Sequence, residues 1–175
     1  MESTDGHGFE EFVRARSTAL MRYGYVLTGN RHDAADLTQE ALARLGSSWS
    51  RLRRKDDPEG YVRTTMARLH ISWWRLRRRE RLAGDVPDQA HTEPGFAHVD
   101  GDGGLWQALA ALPRRQRAVL VLRYYEHRTD EEIAERLGVT RGTVRSQALR
   151  GLAKLRMNWQ PEGAARQETT AGSGR

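Results

Sequence analysis

Residues Thr129–Arg156, TDEEIAERLGVTRGTVRSQALRGLAKLR, decide the fold. Thr129 followed three residues later by Glu132 is a capping box and starts a helix. Ile133, Ala134 and Leu137 form its apolar stripe, and Gly138 can take the left-handed conformation that ends it. Thr140 then caps a second helix, on which Val144, Ala148, Leu152 and Leu155 share one face. Thr143, Ser146 and Arg150 fall opposite, with Arg145, Gln147 and Lys154 on the flanks. Two helices joined at Gly138-Val139-Thr140 make a helix-turn-helix, and such a second helix suits the DNA major groove. A helical hairpin with a merely solvated polar face would share this geometry. The charge favours nucleic acid: residues 114–158 hold 11 Lys/Arg against 5 Asp/Glu.

Upstream, Leu105–Leu112 reads as a short helix. Pro113 starts another through Arg117, Val119, Leu120, Leu122 and Tyr125, and both should support the hairpin. Residues 83–104 hold no Lys or Arg but five acids, Asp85, Asp88, Glu93, Asp100 and Asp102, among glycines and prolines. That composition reads as a linker. At up to about 3.4 Å per residue it spans as much as about 75 Å, enough to let the two ends grip distant sites.

The N-terminal half is a second helical unit. Phe9, Phe12, Val13, Ala19, Leu20, Tyr23, Val26 and Leu27 follow helical spacing, and Thr28-Gly29-Asn30 breaks the run. Asp33 can cap a helix over Ala34–Leu45, with Leu37, Ala41 and Leu45 inward and Asp36, Gln39, Glu40 and Ala43 on another, solvated face. A loop over residues 46–57 is expected next, carrying Trp49 among serines and cations. That tryptophan either stacks on unpaired bases or anchors the loop to the core. Asp57-Pro58-Glu59 is a strong helix start. The helix it opens, to about Leu82, has a seam of Val62, Met66, Leu69, Trp73 and Leu76. Seven arginines line its remaining surface: Arg63, Arg68, Arg75, Arg77, Arg78, Arg79 and Arg81. Trp73 and Trp74 cannot both face inward.

The chain has 175 residues, 38% hydrophobic and 30% charged, with a formal net charge of +6, which favours a polyanionic partner. There is no cysteine, which excludes disulfides, thiolate metal sites and thiol catalysis. No apolar run reaches membrane-spanning length. The acidic N-terminal stretch lacks the apolar core of a secretory signal, so a cytoplasmic location is expected. His32, Asp33 and Asp36 suggest a metal only weakly, because Asp caps are routine. No H-E-x-x-H, phosphate loop or nucleophile elbow occurs, so neither catalysis nor a metal or cofactor is expected.

Three segments resemble bacterial RNA polymerase sigma factors of the extracytoplasmic-function group, in an actinobacterial-type form. They are DAADLTQEALARL (33–45), PEGYVRTTMARLHISWWRLRRR (58–79) and LPRRQRAVLVLRYYEHRTDEEIAERLGVTRGTVRSQALRGLAKLR (112–156). The resemblance implies an all-α fold of two small domains. A three-helix region two would cover 9–82 and a four-helix region four 105–158. An acidic linker over 83–104 would join them, between a flexible start (1–8) and a disordered tail (159–175).

The resemblance also implies partners. Core polymerase would be met through its β′ clamp helices, by Asp36, Leu37, Gln39 and Glu40, and through its β flap. The loop with Trp49 and Arg51, and the basic helix with Arg63, Arg68, Trp74, Arg75 and Arg78, would melt and read the −10 promoter element. Arg141, Thr143, Arg145, Ser146, Leu149, Arg150 and Lys154 would meet the −35 element as duplex. The acidic linker would run through the polymerase cleft. Members are often held by an anti-sigma factor, and no membrane insertion is implied. Arg68 and Ser72 stand where many members carry Asn and Asp, and Tyr61 replaces a frequent Trp, which bears on −10 preference rather than on fold. The competing reading is an operator-binding helix-turn-helix regulator that works apart from polymerase.

Overall fold

The structure, a computed structural model, describes residues 3–52, 57–81 and 103–159, with side chains except at 3–5, 73–81 and 103. Seven α-helices and one π-helical turn make up the described part, and it contains no strand. They are α1 (Ser3–Thr28), α2 (Arg31–Leu52), α3 (Pro58–Arg81), α4 (Gly103–Ala110), α5 (Arg114–Leu120), the π turn (Val121–Tyr125), α6 (Asp130–Leu137) and α7 (Arg141–Asn158).

The first three helices pack on one another around Leu20, Tyr23, Leu27, Leu37, Ala41, Leu45, Val62 and Met66, all buried. Two expectations need correction here. Helix α1 begins at Ser3 rather than near Phe9. Helix α2 begins at Arg31, because Asn30 rather than Asp33 receives its first turn: Asn30 Oδ1 accepts from the Asp33 amide at 2.7 Å, and its Nδ2 donates back to Asp33 Oδ2 at 2.9 Å.

The expected loop after Leu45 is mostly helix, since α2 continues to Leu52. Gly46 and the serines are poor helix formers, but Trp49 follows Leu37, Ala41 and Leu45 at four-residue spacing and completes their seam. Its ring packs edge-on to Phe9 at 5.4 Å and tilted to Phe12 at 5.6 Å, leaving it only 8% exposed. Of the two readings of Trp49, the packing in this structure is that of a core anchor. Residues 53–56, the rest of that loop, lie outside the described residues. Asp57 caps α3 as expected, accepting from the Gly60 amide at 2.7 Å.

The helix-turn-helix forms as its caps dictate. Thr129 and Glu132 make both halves of the box, with Thr129 N donating to Glu132 at 2.8 Å and Glu132 N to Thr129 Oγ1 at 3.3 Å. The first of these bonds holds the Glu132 carboxyl below its ordinary range. Gly138 sits at φ 65°, ψ 41°, a left-handed cap that any Cβ would strain. Thr140 caps α7 by accepting from the Thr143 amide at 3.1 Å. Val144, Ala148 and Ile133 are buried with Leu112, Val119, Leu120 and Leu122, while Leu137, Leu152 and Leu155 pack at their edge.

Helix α5 joins the two sets of helices. Every residue from Gln116 to Leu122 is buried, so this stretch has no solvent face. Ala118 and Val121 enter the core of α1–α3, whereas Val119, Leu120 and Leu122 enter the core of the hairpin. Ala67 of α3 belongs to the hairpin's core in return. The linker's length would let the two units separate, but in this structure they share a central helix. The linker and the tail lie outside the described residues, apart from Gly103, Gly104 and Trp159.

Candidate polymerase and nucleic-acid interfaces

The α2 surface divides along helical spacing. Ala34, Leu37, Ala41 and Leu45 are fully buried, which leaves Asp36, Gln39 and Ala43 exposed and Glu40 half-buried on the outer face. Glu40 accepts from Arg44 Nε at 2.8 Å, an i,i+4 pair that keeps its carboxylate on the surface. Leu37, expected among the contact residues, is 0% exposed, and its side chain supports the face from beneath. The acidic and amide groups therefore stand on a rigid apolar seam.

On α3, both arginines with described side chains have partners within the protein. Arg63 Nη2 bonds Glu59 Oε1 at 2.7 Å, and its guanidinium lies 5.1 Å above the centre of the Tyr23 ring. Arg68 Nε donates to the carbonyl oxygen of Arg136 on α6, and Arg136 Nη1 donates to Thr64 Oγ1 at 2.7 Å. Thr64 and Arg68 of α3 thus contact the hairpin in this structure. Arg51 is exposed at the end of α2. The side chains of Trp73, Trp74, Arg75 and Arg78 lie outside the described residues, although α3 carries their backbone to Arg81.

On α7, Leu149 is 70% exposed, and Arg145, Arg150 and Lys154 are exposed as well. An exposed leucine midway along such a helix can meet a thymine methyl group. Arg145 Nε reaches Asp130 Oδ2 at 3.4 Å, and Arg141 Nη2 reaches Glu131 Oε1 at 2.9 Å, so two acids of α6 hold arginines of α7. Asp130 also bonds Arg123 through its other oxygen. Thr143 and Ser146 are half-buried: Ser146 Oγ donates to Thr143 O at 3.0 Å, and the Thr140 and Thr143 hydroxyls lie 3.0 Å apart. The start of α7 looks across a cleft of about 300 Å³ onto Arg68, Ile71 and Ser72 of α3.

Residue-by-residue reading of the sequence missed the junction itself. Arg117 is 4% exposed, and His70 on α3 is 1% exposed with both ring nitrogens lacking a hydrogen-bond partner. Burial, and then the nearby Arg117 and Arg114 charges, push the His70 imidazole well below its ordinary pKa. Burial likewise lowers Arg117, to about 10. One signal was available: the run AVLVL at 118–122 has no polar face, as a helix clasped from two sides requires.

Comparison with known proteins agrees with this division. Residues 12–80 match the Sigma-70 region 2 family and residues 103–155 match Sigma-70, region 4. The chain is 38% identical over 149 residues to the RNA polymerase sigma-E factor of Streptomyces coelicolor, covering 85% of this chain and 84% of that one. It is 35% identical over 155 residues to the ECF RNA polymerase sigma factor SigE of Mycolicibacterium smegmatis, covering 85% and 60%. In fold it is similar to the sigma factor RpoE of Bartonella quintana, solved with the anti-sigma factor NepR, at a TM-score of 0.67 and 20% identity over 86% of this chain and 95% of that one. Two helical units in this order, an exposed acidic face on the first and a helix-turn-helix in the second are therefore explained together: the chain belongs to the sigma-70 family of RNA polymerase sigma factors, in its extracytoplasmic-function group.

Proposed function

We propose that Asp36, Gln39 and Glu40 dock on the β′ clamp helices of core polymerase. The basic end of α3, with Arg51, meets the −10 element, and the outward side of α7 meets the −35 element as duplex. The observation that carries this reading is the α2 surface, where Asp36 and Gln39 are exposed directly above fully buried Leu37 and Ala41. A regulator that only bound an operator would have no use for such a face. The role is one of binding and positioning, with no bond made or broken by the chain itself.

Within α7, Arg145, Leu149 and Arg150 reach base edges, while Arg141 and Lys154 meet phosphate. Thr143 and Ser146 lie nearer the floor of the groove. The acidic linker follows the polymerase cleft, and an anti-sigma factor, such as the one bound to RpoE, is a candidate partner. Transcription in vitro with core polymerase on a genomic promoter library tests the whole reading. Recovery of start sites with shared −10 and −35 elements is expected. DNA binding that never depends on polymerase would favour the operator-binding alternative.

A further inference from the structure

Asp130 stands between two arginines that come from different elements. Arg123 of the π turn donates from Nη2 to Asp130 Oδ1, and Arg145 of α7 donates from Nε to Asp130 Oδ2 at 3.4 Å. Asp130 is the first residue of α6, directly after the Thr129 cap. Its side chain is 20% exposed and that of Arg123 23%, whereas that of Arg145 is 62% exposed. The carboxylate is thus fixed on one side by a half-buried arginine and reaches out on the other to α7. Arg123 follows directly on buried Val121 and Leu122, and Leu122 belongs to the hairpin's core, so the anchor is itself seated. The neighbouring pair of Arg141 with Glu131 is built differently. Its side chains are 54% and 58% exposed, and an ion pair so open to solvent fixes little.

We infer that Asp130 is a positioning residue for −35 recognition: held by Arg123, it grips Arg145 by Nε and turns the two Nη nitrogens toward a guanine in the major groove. The inference rests on the assignment of α7 to the −35 duplex and of Arg145 to a base edge. A guanidinium carries its five donors in a fixed fork. With Nε taken by Asp130, the Nη pair at its end remains to match O6 and N7 of guanine. An untethered arginine gives up rotamer freedom to make that contact and can equally swing to a phosphate. A tethered one has given up part of that freedom beforehand. Charge works in the same direction. The carboxylate offsets one of the two cations beside it, so it lessens sequence-independent attraction to phosphate while it aims the base reader. Asp130 therefore lowers affinity in general and raises discrimination.

The test compares holoenzymes carrying the wild-type chain, Asp130→Asn, Arg123→Gln or Arg145→Ala on a promoter library randomised in the −35 element, with the −10 element fixed. Asparagine has one acceptor oxygen, so it cannot serve two arginines, and its amide turns a donor toward the second. A bidentate arginine–guanine pair discriminates by about 5- to 150-fold, and Asp130→Asn should lose about fivefold at the one base pair that Arg145→Ala also relaxes. Binding to the other sequences should hold or rise, with a steeper salt dependence, because one negative charge is gone. A purely structural role would instead weaken every sequence alike. Arg123→Gln leaves the sequence of α6 and α7 intact and should relax the same base pair. It carries the test if circular dichroism shows that Asp130→Asn fails to fold. Asp130→Asn combined with Arg145→Ala should discriminate no worse than Arg145→Ala alone, since both act through one contact.

An unchanged base profile in Asp130→Asn and Arg123→Gln, with Arg145→Ala relaxed, would overturn the inference and leave Arg145 as a base reader. A loss spread evenly over all sequences in Asp130→Asn would overturn it too. If Arg145→Ala itself keeps the wild-type profile, the base-edge assignment of Arg145 is what has failed, and the positioning role falls with it.

Discussion

Arg117 of α5 donates to the carbonyl oxygen of Leu27 at the end of α1, at 3.0 Å and across 90 positions of sequence. A guanidinium at a helix C-terminus answers the unpaired carbonyls there, and the negative end of the helix dipole favours its charge. Arg117 also donates to Ala110 O, at the end of α4, so one side chain ties two helix ends together. No stretch of the chain read on its own reveals that link.

Polymerase docking should depend on the α2 face. Asp36→Arg with Glu40→Arg reverses its charge without touching the Leu37 and Ala41 seam below. Affinity for core polymerase is expected to fall while helix content by circular dichroism stays constant. Unchanged affinity, measured by fluorescence anisotropy, would remove this face from the interface.

Reading of the −35 element should separate Arg150 from Lys154, both exposed on α7. An arginine bidentate to guanine contributes about 1–3 kcal/mol of base discrimination, whereas a lysine on phosphate mainly sets salt dependence. Arg150→Ala should relax preference at one or two positions of a randomised −35 library. Lys154→Ala should weaken all sequences alike and flatten the salt slope by about one unit. A uniform loss for Arg150→Ala would make it a backbone anchor and pass specificity to Arg145, Ser146 or Leu149.

The turn of the helix-turn-helix should be sensitive at Gly138 for reasons of backbone alone. A Cβ there meets nothing within 4 Å, but φ is 65°. Gly138→Ala should therefore cost about 1–2 kcal/mol, the penalty of the left-handed conformation. Thr129→Ala, which removes the cap of α6, should cost about 1 kcal/mol. Urea unfolding followed by circular dichroism measures both, and a neutral Gly138→Ala would show that the turn can relax.

Stability should fall in mild acid because of His70. Its imidazole is held neutral in the folded protein, with a pKa well below the ordinary 6.5, by burial first and then by Arg117 and Arg114. Above 6.5 both folded and unfolded forms are neutral at this site, and it adds no pH dependence. As pH falls below 6.5 the unfolded or opened form takes up the proton first, so the closed fold loses stability until its own, lower pKa is reached. Asp33 is the acidic residue among those lining the adjoining cavity with His70, Arg114, Arg115 and Arg117. Thermal melts at pH 7.5 and 5.5 should differ less for His70→Gln than for the wild type. An equal acid shift in both would place the titrating group elsewhere.

Local signals determined much of this protein. Thr129 with Glu132, Gly138 and Thr140 set the helix-turn-helix, because caps and a left-handed glycine act within one turn of chain. The buried seam of α2, and Val62, Met66 and Leu69 of the α3 seam, followed from apolar spacing for the same reason, and the family was legible from three motifs in order. Where the sequence reading departed from the structure, long-range packing was the cause. Serines and a glycine after Leu45 spoke for a loop, yet Trp49 found Phe9 and Phe12 some forty residues earlier, and that contact carried α2 to Leu52. Arg63 and Arg68 read as surface cations; Glu59 is a partner of Arg63 on the same helix, but the Tyr23 ring and the Arg136 backbone become their neighbours only when helices pack. Spacing places a residue on a face. Which other element covers that face is decided by burial and hydrogen bonding between distant parts of the chain, and here that placed α5 between two cores.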